Sequence, residues 1–273
     1  MDKTLVIKLG YRGGDFCGYA EQPGLRTVAG ELRRALETAL RRPVELTCAG
    51  RTDAGVHALA QHVSLPVSSD ELVTYGPRLQ RMLTALTPED IAIKGIYQAQ
   101  EGFSARFDAQ ARGYRYRIAC GDAACPVLGW GHVWWLRPGA NLDARAMHEA
   151  AQCLVGEHDF TSFCKVSSAE AIHADGRSTS RYLAEVNVSH VVEAGEELVA
   201  IDVVGNAFLH NMVRAITGTL VEVGQGRRDA SWVERALEAR DRKAAGPTAP
   251  ACGLTLERVD YPEGALLDLK TFT

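Results

Sequence analysis

The order of apolar patterns in the first hundred residues restricts the fold of this chain more than any other feature. Alternation of apolar and polar residues predicts four strands, at 4–11, 44–48, 61–67 and 91–97. Helical spacing of apolar residues predicts two helices between them, at 27–40 and 71–86. The order strand, helix, two strands, helix, strand is that of a split βαβ unit, whose helices cover one side of an antiparallel sheet.

The chain after residue 107 is also predicted to combine strands and helices, without visible repetition of the sequence. Strands are predicted at 112–118, 181–190, 197–204 and 253–259, and helices at 141–154, 208–223 and 231–240. Ser231 and Glu234 predict a capping box for the last helix. The polar run 164–180 has little periodicity, which predicts a mobile surface loop. We therefore predict an α+β protein with two halves, 1–107 and 108–273.

Composition excludes several kinds of protein. No apolar run approaches the roughly 20 residues that span a bilayer, and the opening residues enter a strand pattern directly, which predicts no secretory signal. The seven cysteines are odd in number and include no C-x-x-C pair. This argues against a disulfide framework and a structural zinc site, and it fits a reducing cytoplasm. The histidines show no H-x-x-x-H spacing, so no metal site is predicted.

The kind of basic residue is more informative than the net charge. A net charge of −4 gives no support for a polyanionic partner. Arginine, however, supplies 24 of the 30 basic residues. Because arginine makes bidentate phosphate contacts and stacks on bases, this bias suits nucleic-acid binding. A GC-rich genome produces the same bias, so both explanations stay open.

The segment 49–58, Ala-Gly-Arg-Thr-Asp-Ala-Gly-Val-His-Ala, is the strongest candidate for a chemical site. Gly50 and Gly55 let the main chain turn sharply and approach a ligand closely. Asp53 then lies two residues from the guanidinium of Arg51, which suits chemistry on a substrate. The pattern also fits a turn in which Asp53 makes a local Asx hydrogen bond and Arg51 is a solvated surface charge.

The strand predicted at 112–118 carries two tyrosines on one face and two arginines on the other. Its period of two places Tyr114 and Tyr116 together, with Arg115 and Arg117 opposite them. Paired aromatic rings beside arginines suit base stacking and phosphate contact. Ordinary aromatic core packing with outward charges explains the same pattern.

Arg214 lies at the edge of the apolar face of the helix predicted at 208–223. An arginine there either pairs with a carboxylate, for which Asp53 is the obvious candidate, or extends to water. His57 follows Asp53 by four residues, but the sequence has no G-x-S-x-G elbow that would complete a hydrolase triad. We interpret His57 as a packed residue that stabilises the loop.

Taken together, these segments resemble the tRNA pseudouridine synthase A family. The matching blocks occur in the family's order, at 49–58, 103–107, 112–116, 156–163 and 206–214. The resemblance runs from the first strand to about residue 262. The chain departs from the usual family pattern at Tyr19-Ala20, where Trp-Gln is common, at 84–86, where an Asn is lost, and at Gly113, which replaces a frequent second basic residue.

The resemblance implies a fold, a reaction and a set of site residues. The fold is two α+β halves whose mainly antiparallel sheets join, with helices on the outer face and a central RNA-binding cleft. The reaction converts uridine to pseudouridine at positions 38, 39 and 40 of the tRNA anticodon stem-loop, by a homodimer without a cofactor or metal. The implied catalytic residues are Arg51, Asp53, Tyr114 and Arg214. The implied substrate-binding residues are Arg51, Arg106, Arg112, Tyr114, Phe208 and His210.

The chemistry suits these residues. The C1′–N1 bond breaks, the base turns and C1′ joins C5, so the reaction is an isomerisation that needs no redox carrier. An ionised Asp53 attacks C1′, attacks C6 or removes the 2′ hydrogen, and a neighbouring guanidinium favours its charged form. Tyr114 suits a platform under the base better than a proton acceptor, since a phenol ordinarily titrates near 10. The rival interpretations are an inactive tRNA-binding chaperone and an aspartate-nucleophile hydrolase acting on small sugars or phosphates.

Overall fold

A computed structural model describes residues 2–121, 126–137 and 139–269. Cys125, one of the seven cysteines, lies outside the described residues. The chain forms two compact units, Met1–Ala111 with Leu256–Thr273, and Arg112–Thr255. The end of the chain therefore returns to the first unit, whereas the division of the sequence at residue 107 assigns that segment to the second half.

The described strands and helices follow the predicted order closely. The strands are β1 (Asp2–Tyr11), β2 (Thr47–Cys48), β3 (His57–Ser68), β4 (Ile91–Ala99), β5 (Ala111–Ala119), β6 (Trp134–Trp135), β7 (Gly156–Asp159), β8 (Ser180–Glu193), β9 (Glu196–Gly205), β10 (Leu254–Asp260) and β11 (Leu267–Asp268). The helices are α1 (Val28–Leu40), α2 (Ser69–Leu86), α3 (Ala144–Ala151), α4 (Val166–Ala174), α5 (Met212–Gly224) and α6 (Ser231–Ala239). No described helix is both long and apolar enough to cross a bilayer.

The first unit has the predicted split βαβ arrangement. Its strands run in the order β11, β4, β1, β3, with β2 paired to β3, and all these pairings are antiparallel. The Thr27 side chain accepts a hydrogen bond from Gly30 N and caps α1. Ser68 and Glu71 form a capping box at the start of α2. These caps satisfy amide groups that the first turn of a helix otherwise leaves without partners.

The second unit is also antiparallel in its main strands. Their order is β5, β9, β8, β7, while β6 pairs with β5 in parallel. Ala194 and Gly195 both have positive φ and make the two-residue turn between β8 and β9, as such hairpins require. The α+β class predicted from the sequence is confirmed.

Several predicted elements have different bounds from those expected, and two of them lose residues at their start. The strand predicted at 44–48 is reduced to Thr47–Cys48. The helix predicted from residue 208 begins only at Met212, because Asn211 has φ 65°. That left-handed conformation cannot continue a right-handed helix, so residues 206–211 form a loop.

Two local predictions are wrong. The predicted loop at 164–180 contains helix α4, in which Ala169 is the buried residue. A helix made mainly of small and polar residues shows no apolar period, which explains the error. The capping box predicted at the start of α6 is not formed: Ala230 is the N-cap residue, and the Ser231 hydroxyl donates to Asp229 instead.

Candidate active site

Asp53 lies on the loop that connects β2 to β3 in the first unit. Along this loop Arg51 is exposed, Thr52 is buried and Asp53 is half-buried. The chain therefore turns Thr52 into the protein and leaves its two charged neighbours at the surface. A buried residue between two accessible ones fixes the direction in which the loop points.

Two buried side chains hold the loop from beneath. The Tyr11 hydroxyl lies 2.7 Å from Thr52 Oγ1. Gln61 Nε2 donates to the Gly50 carbonyl at 2.6 Å, and Gly50 N donates back to Gln61 Oε1 at 3.4 Å. Gln61 Nε2 also lies 3.4 Å from the Tyr11 hydroxyl, so the two supports are linked. The main chain is thus anchored on both sides of Arg51.

A second segment, residues 13–19, packs directly on the same loop. A Cβ on Gly13 would lie 2.0 Å from the Val56 carbonyl oxygen, so this close approach requires glycine. Gly13 N donates to His57 Nδ1 at 3.0 Å, and Tyr19 N donates to the Thr52 carbonyl at 3.0 Å. His57 is buried, in agreement with its interpretation as a packed residue that stabilises the loop. Tyr19, one of the departures from the family pattern, contributes its main chain to this support.

Two of the predicted arginines in the first unit affect the pKa of the same cysteine, Cys48. Burial raises the pKa of the Cys48 thiol, while Arg51 and Arg106 act in the opposite direction. Both guanidinium groups therefore act on Cys48, which directly precedes the 49–58 segment. Burial likewise raises the pKa of Tyr11, whose hydroxyl is hydrogen-bonded to Thr52.

In the second unit, the tyrosine face of β5 serves two purposes. Tyr116 is fully buried and its hydroxyl donates to the Pro250 carbonyl at 2.7 Å, as expected for core packing. Tyr114 contacts Phe208 edge to face, with 5.0 Å between ring centroids. Because Phe208 is half-buried and belongs to the loop before α5, Tyr114 lies where the core meets that loop.

The opposite face of β5 is an ion-pair network inside the unit. Arg115 forms salt bridges with Asp202 at 2.7 Å and Glu193 at 2.8 Å. Arg117 forms a salt bridge with Glu193 at 2.5 Å. These arginines hold β5, β8 and β9 together, which supports the structural interpretation for this face.

The remaining predicted residues lie around the 206–214 segment. Arg112 is buried and donates from Nη1 to the Asn206 carbonyl. His210 is exposed, with Nδ1 3.0 Å from Ser168 Oγ on α4. Helix α4, which sequence reasoning missed, therefore positions one of the predicted substrate-binding residues.

Arg214 is half-buried in the first turn of α5 and is oriented by two hydrogen bonds. Its Nε donates to the Ala249 carbonyl at 2.8 Å, and its Nη1 donates to Asn211 Oδ1 at 2.9 Å. The left-handed conformation of Asn211 thus ends the preceding loop and brings its side chain to the guanidinium. An arginine held by two hydrogen bonds has a defined orientation.

The described structure thus gathers Arg51, Asp53 and Arg106 in the first unit, and Arg112, Tyr114, Phe208, His210 and Arg214 in the second. Sequence reasoning missed Tyr11 and Gln61, which support the loop from distant strand positions. No periodic pattern marks them, because only tertiary pairing brings β1 and β3 together. Among the described residues, no group of three His, Cys, Asp or Glu side chains could hold a metal ion.

Comparison with known proteins identifies one family. A family model described as tRNA pseudouridine synthase matches residues 150–262. The tRNA pseudouridine synthase A of Aliivibrio fischeri is 40% identical over 258 residues, covering 94% of this chain and 92% of its own length. The proteins of that name from Vibrio atlanticus and a Geobacillus species are each 39% identical, covering 95% and 96% of this chain and 92% and 99% of their own length.

Proposed function

Because this chain belongs to the tRNA pseudouridine synthase A family, a family of isomerases, we propose that it converts uridine to pseudouridine at positions 38, 39 and 40 of the tRNA anticodon stem-loop. The proposal includes action in the cytoplasm, as a homodimer and without a cofactor. Asp53 is the proposed catalytic carboxylate, and the RNA is held by arginines and aromatic rings of both units.

The observation that supports this role most directly is the rigid support under Asp53. Its neighbour Thr52 is bound to Tyr11 through the side chain and to Tyr19 through the carbonyl. Val56 N donates to the Asp53 carbonyl at 3.1 Å, which closes the turn. A reacting group that is held in place does not lose that freedom in the transition state, so its position contributes to rate.

The reaction needs a carboxylate that remains charged beside an extruded base. Taking a base out of its stack costs a few kcal/mol, which contacts to the flanking nucleotides must offset. Each of the three possible roles of Asp53, at C1′, at C6 or at the 2′ hydrogen, uses the ionised form. We propose that Arg214 pairs with Asp53 and favours that form, since an opposite charge nearby stabilises a carboxylate.

The other proposed site residues bind the RNA. Tyr114 provides a platform under the target base, and its contact with Phe208 fixes the orientation of the ring. Exposed Arg51, Arg106 and His210 contact flanking phosphates and bases. Buried Arg112 acts through the 206–214 segment, which its hydrogen bond to Asn206 holds in place.

The direct test uses tRNA labelled with tritium at C5 of uridine, since forming the C1′–C5 bond releases that hydrogen to water. The wild-type protein should release tritium, and sequencing should locate pseudouridine at 38–40. Asp53→Asn should fold and bind tRNA but release no tritium above background. Asp70→Asn, which changes an exposed carboxylate on α2, is the matched control and should behave as wild type. Turnover by Asp53→Asn would remove Asp53 from the mechanism, and binding without turnover by wild type would favour an inactive chaperone.

A further inference from the structure

The segment after β4 forms a tightly hydrogen-bonded turn, residues 103–108, which we call the 103–108 turn. Ser104 N donates to Asp108 Oδ2 at 2.7 Å, and Asp108 N donates to the Ser104 carbonyl at 3.1 Å. The amides of Arg106 and Phe107 both donate to Ser104 Oγ at 3.3 Å. One serine and one aspartate side chain therefore fix the main chain that carries Arg106 and Phe107.

The 103–108 turn is tied to β3, the strand that follows the Asp53 loop. Ala105 N donates to Ser64 Oγ at 3.0 Å, and the same hydroxyl donates to the Thr47 carbonyl on β2 at 3.4 Å. On its other side, the Ala105 carbonyl accepts a hydrogen bond from the Tyr261 hydroxyl at 2.7 Å. The turn and the Asp53 loop thus share one rigid support within the first unit.

Phe107 is placed in solvent by this rigid turn. Its side chain is 79% exposed, although phenylalanine is among the residues most often buried. The Arg106 guanidinium lies 5.4 Å from the Phe107 ring centroid, and Arg106 and Arg51 both act electrostatically on Cys48. An exposed aromatic ring beside cationic groups is the combination that binds unpaired bases, because the ring stacks on a base while arginine binds the adjacent phosphate.

We propose that Phe107 is a further substrate-positioning residue, whose ring stacks on the base next to the target uridine while Arg106 binds the phosphate between them. The inference rests on the proposed function and adds a residue to the same site. Stacking on Phe107 replaces contacts that the neighbouring base loses when the target leaves the helix. Because the turn is already ordered, little conformational entropy is lost when the ring is used.

The positive charge nearby selects RNA as the partner of this ring. A second copy of the chain would have to cover Phe107 with apolar side chains and also place carboxylates opposite Arg106 and Arg51. RNA matches both parts, since a base covers the ring and phosphates neutralise the guanidinium groups. The two partners also differ in their consequences, because covering by a second copy changes the oligomeric state.

The test compares Phe107→Ala, Phe107→Leu and Phe107→Trp with wild type, using an anticodon stem-loop RNA. Stacking of one base is worth enough that Phe107→Ala should weaken binding or raise KM about 10- to 100-fold. Phe107→Leu should lose a similar amount of RNA affinity, because leucine keeps apolar area without an aromatic face. Phe107→Trp should keep an RNA affinity close to that of wild type. Val73→Ala, at a similarly exposed apolar residue on α2, is the control and should change nothing. Thermal unfolding should be unchanged, since the ring makes little contact in the folded protein.

A second experiment tests which base of the RNA stacks on Phe107. An RNA with an abasic nucleotide next to the target should lose as much affinity for wild type as normal RNA loses for Phe107→Ala, and combining both changes should cost no more than either alone. Independent losses from the two changes would overturn the proposal. So would wild-type binding by Phe107→Ala, or a shift to monomer without a change in RNA affinity. These results are distinct from failure of the proposed function, in which wild type itself makes no pseudouridine.

Discussion

Replacing Tyr11 by phenylalanine removes a single oxygen atom and tests whether the support beneath Asp53 controls its position. That oxygen lies 2.7 Å from Thr52 Oγ1 in a buried environment, and Gln61 Nε2 lies 3.4 Å from it. The ring of Tyr11 keeps its packing against Phe16 and Tyr19, because neither contact uses the hydroxyl. The perturbation is therefore polar and leaves packing volume nearly unchanged.

The expected cost follows from the state of Thr52 after the change. Thr52 is 7% exposed, so its hydroxyl loses a partner where water has little access. Leaving a buried polar group without its partner costs about 1–3 kcal/mol, whereas removing both partners is much closer to neutral. Tyr11→Phe should thus lower the free energy of unfolding by about 1–3 kcal/mol. Adding Thr52→Val should recover part of that loss.

Catalysis should be more sensitive than stability, because Asp53 directly follows Thr52. A displacement of about 1 Å at a reacting group costs on the order of 100-fold in rate. We expect kcat to fall about 10- to 100-fold in Tyr11→Phe, with little change in tRNA affinity. Denaturant unfolding and tritium release measure the two effects on the same preparations. Strictly additive losses in Tyr11→Phe and Thr52→Val, or an unchanged kcat, would refute the reasoning.

The remaining predictions concern His62 and Arg214. Burial first, and Lys8 second, lower the pKa of His62 from its ordinary 6.5 to about 4, so the unfolded chain binds a proton that the folded protein does not as the pH falls through that range. The free energy of unfolding should therefore decrease by about 3 kcal/mol between pH 6.5 and pH 4 in denaturant titrations. The variant His62→Gln should show a smaller decrease over the same pH range. An equal decrease in both proteins would exclude His62 as the cause. Arg214→Ala should abolish tritium release and cost about 1–3 kcal/mol in the same titrations, because the carbonyl of Ala249 loses its donor. Wild-type turnover in that variant would contradict the proposed pairing with Asp53.

Local patterns were sufficient for most of the elements. Thr27 marks the start of α1, since capping depends on residues within one turn. Alternation predicted strands at 181–190 and 197–204, which pair in the structure as β8 and β9. Prediction failed at α4, whose small and polar residues show no apolar period, and at Asn211, whose left-handed backbone ends the loop before α5.

The candidate site also has features that the sequence could predict and features that it could not. The 49–58 segment could be located from its own residues, because two glycines around an arginine and an aspartate form a local pattern. The supports of that segment could not be predicted, since Tyr11, Gln61 and Gly13 meet it only after the strands pair and residues 13–19 pack on the loop. The exposure of Phe107 could not be predicted either, because a sequence does not reveal which apolar side chains remain in solvent.

The amino-acid sequence by itself determined the α+β order of elements, the family and the identity of the candidate carboxylate. Each of these depends on residues near one another in the chain or on a match along its whole length. The tertiary structure alone decided which contacts support the Asp53 loop and that Phe107 on the 103–108 turn is exposed. Those features arise from contacts between residues about 40 positions apart, as between Tyr11 and Thr52, and no local pattern encodes such contacts.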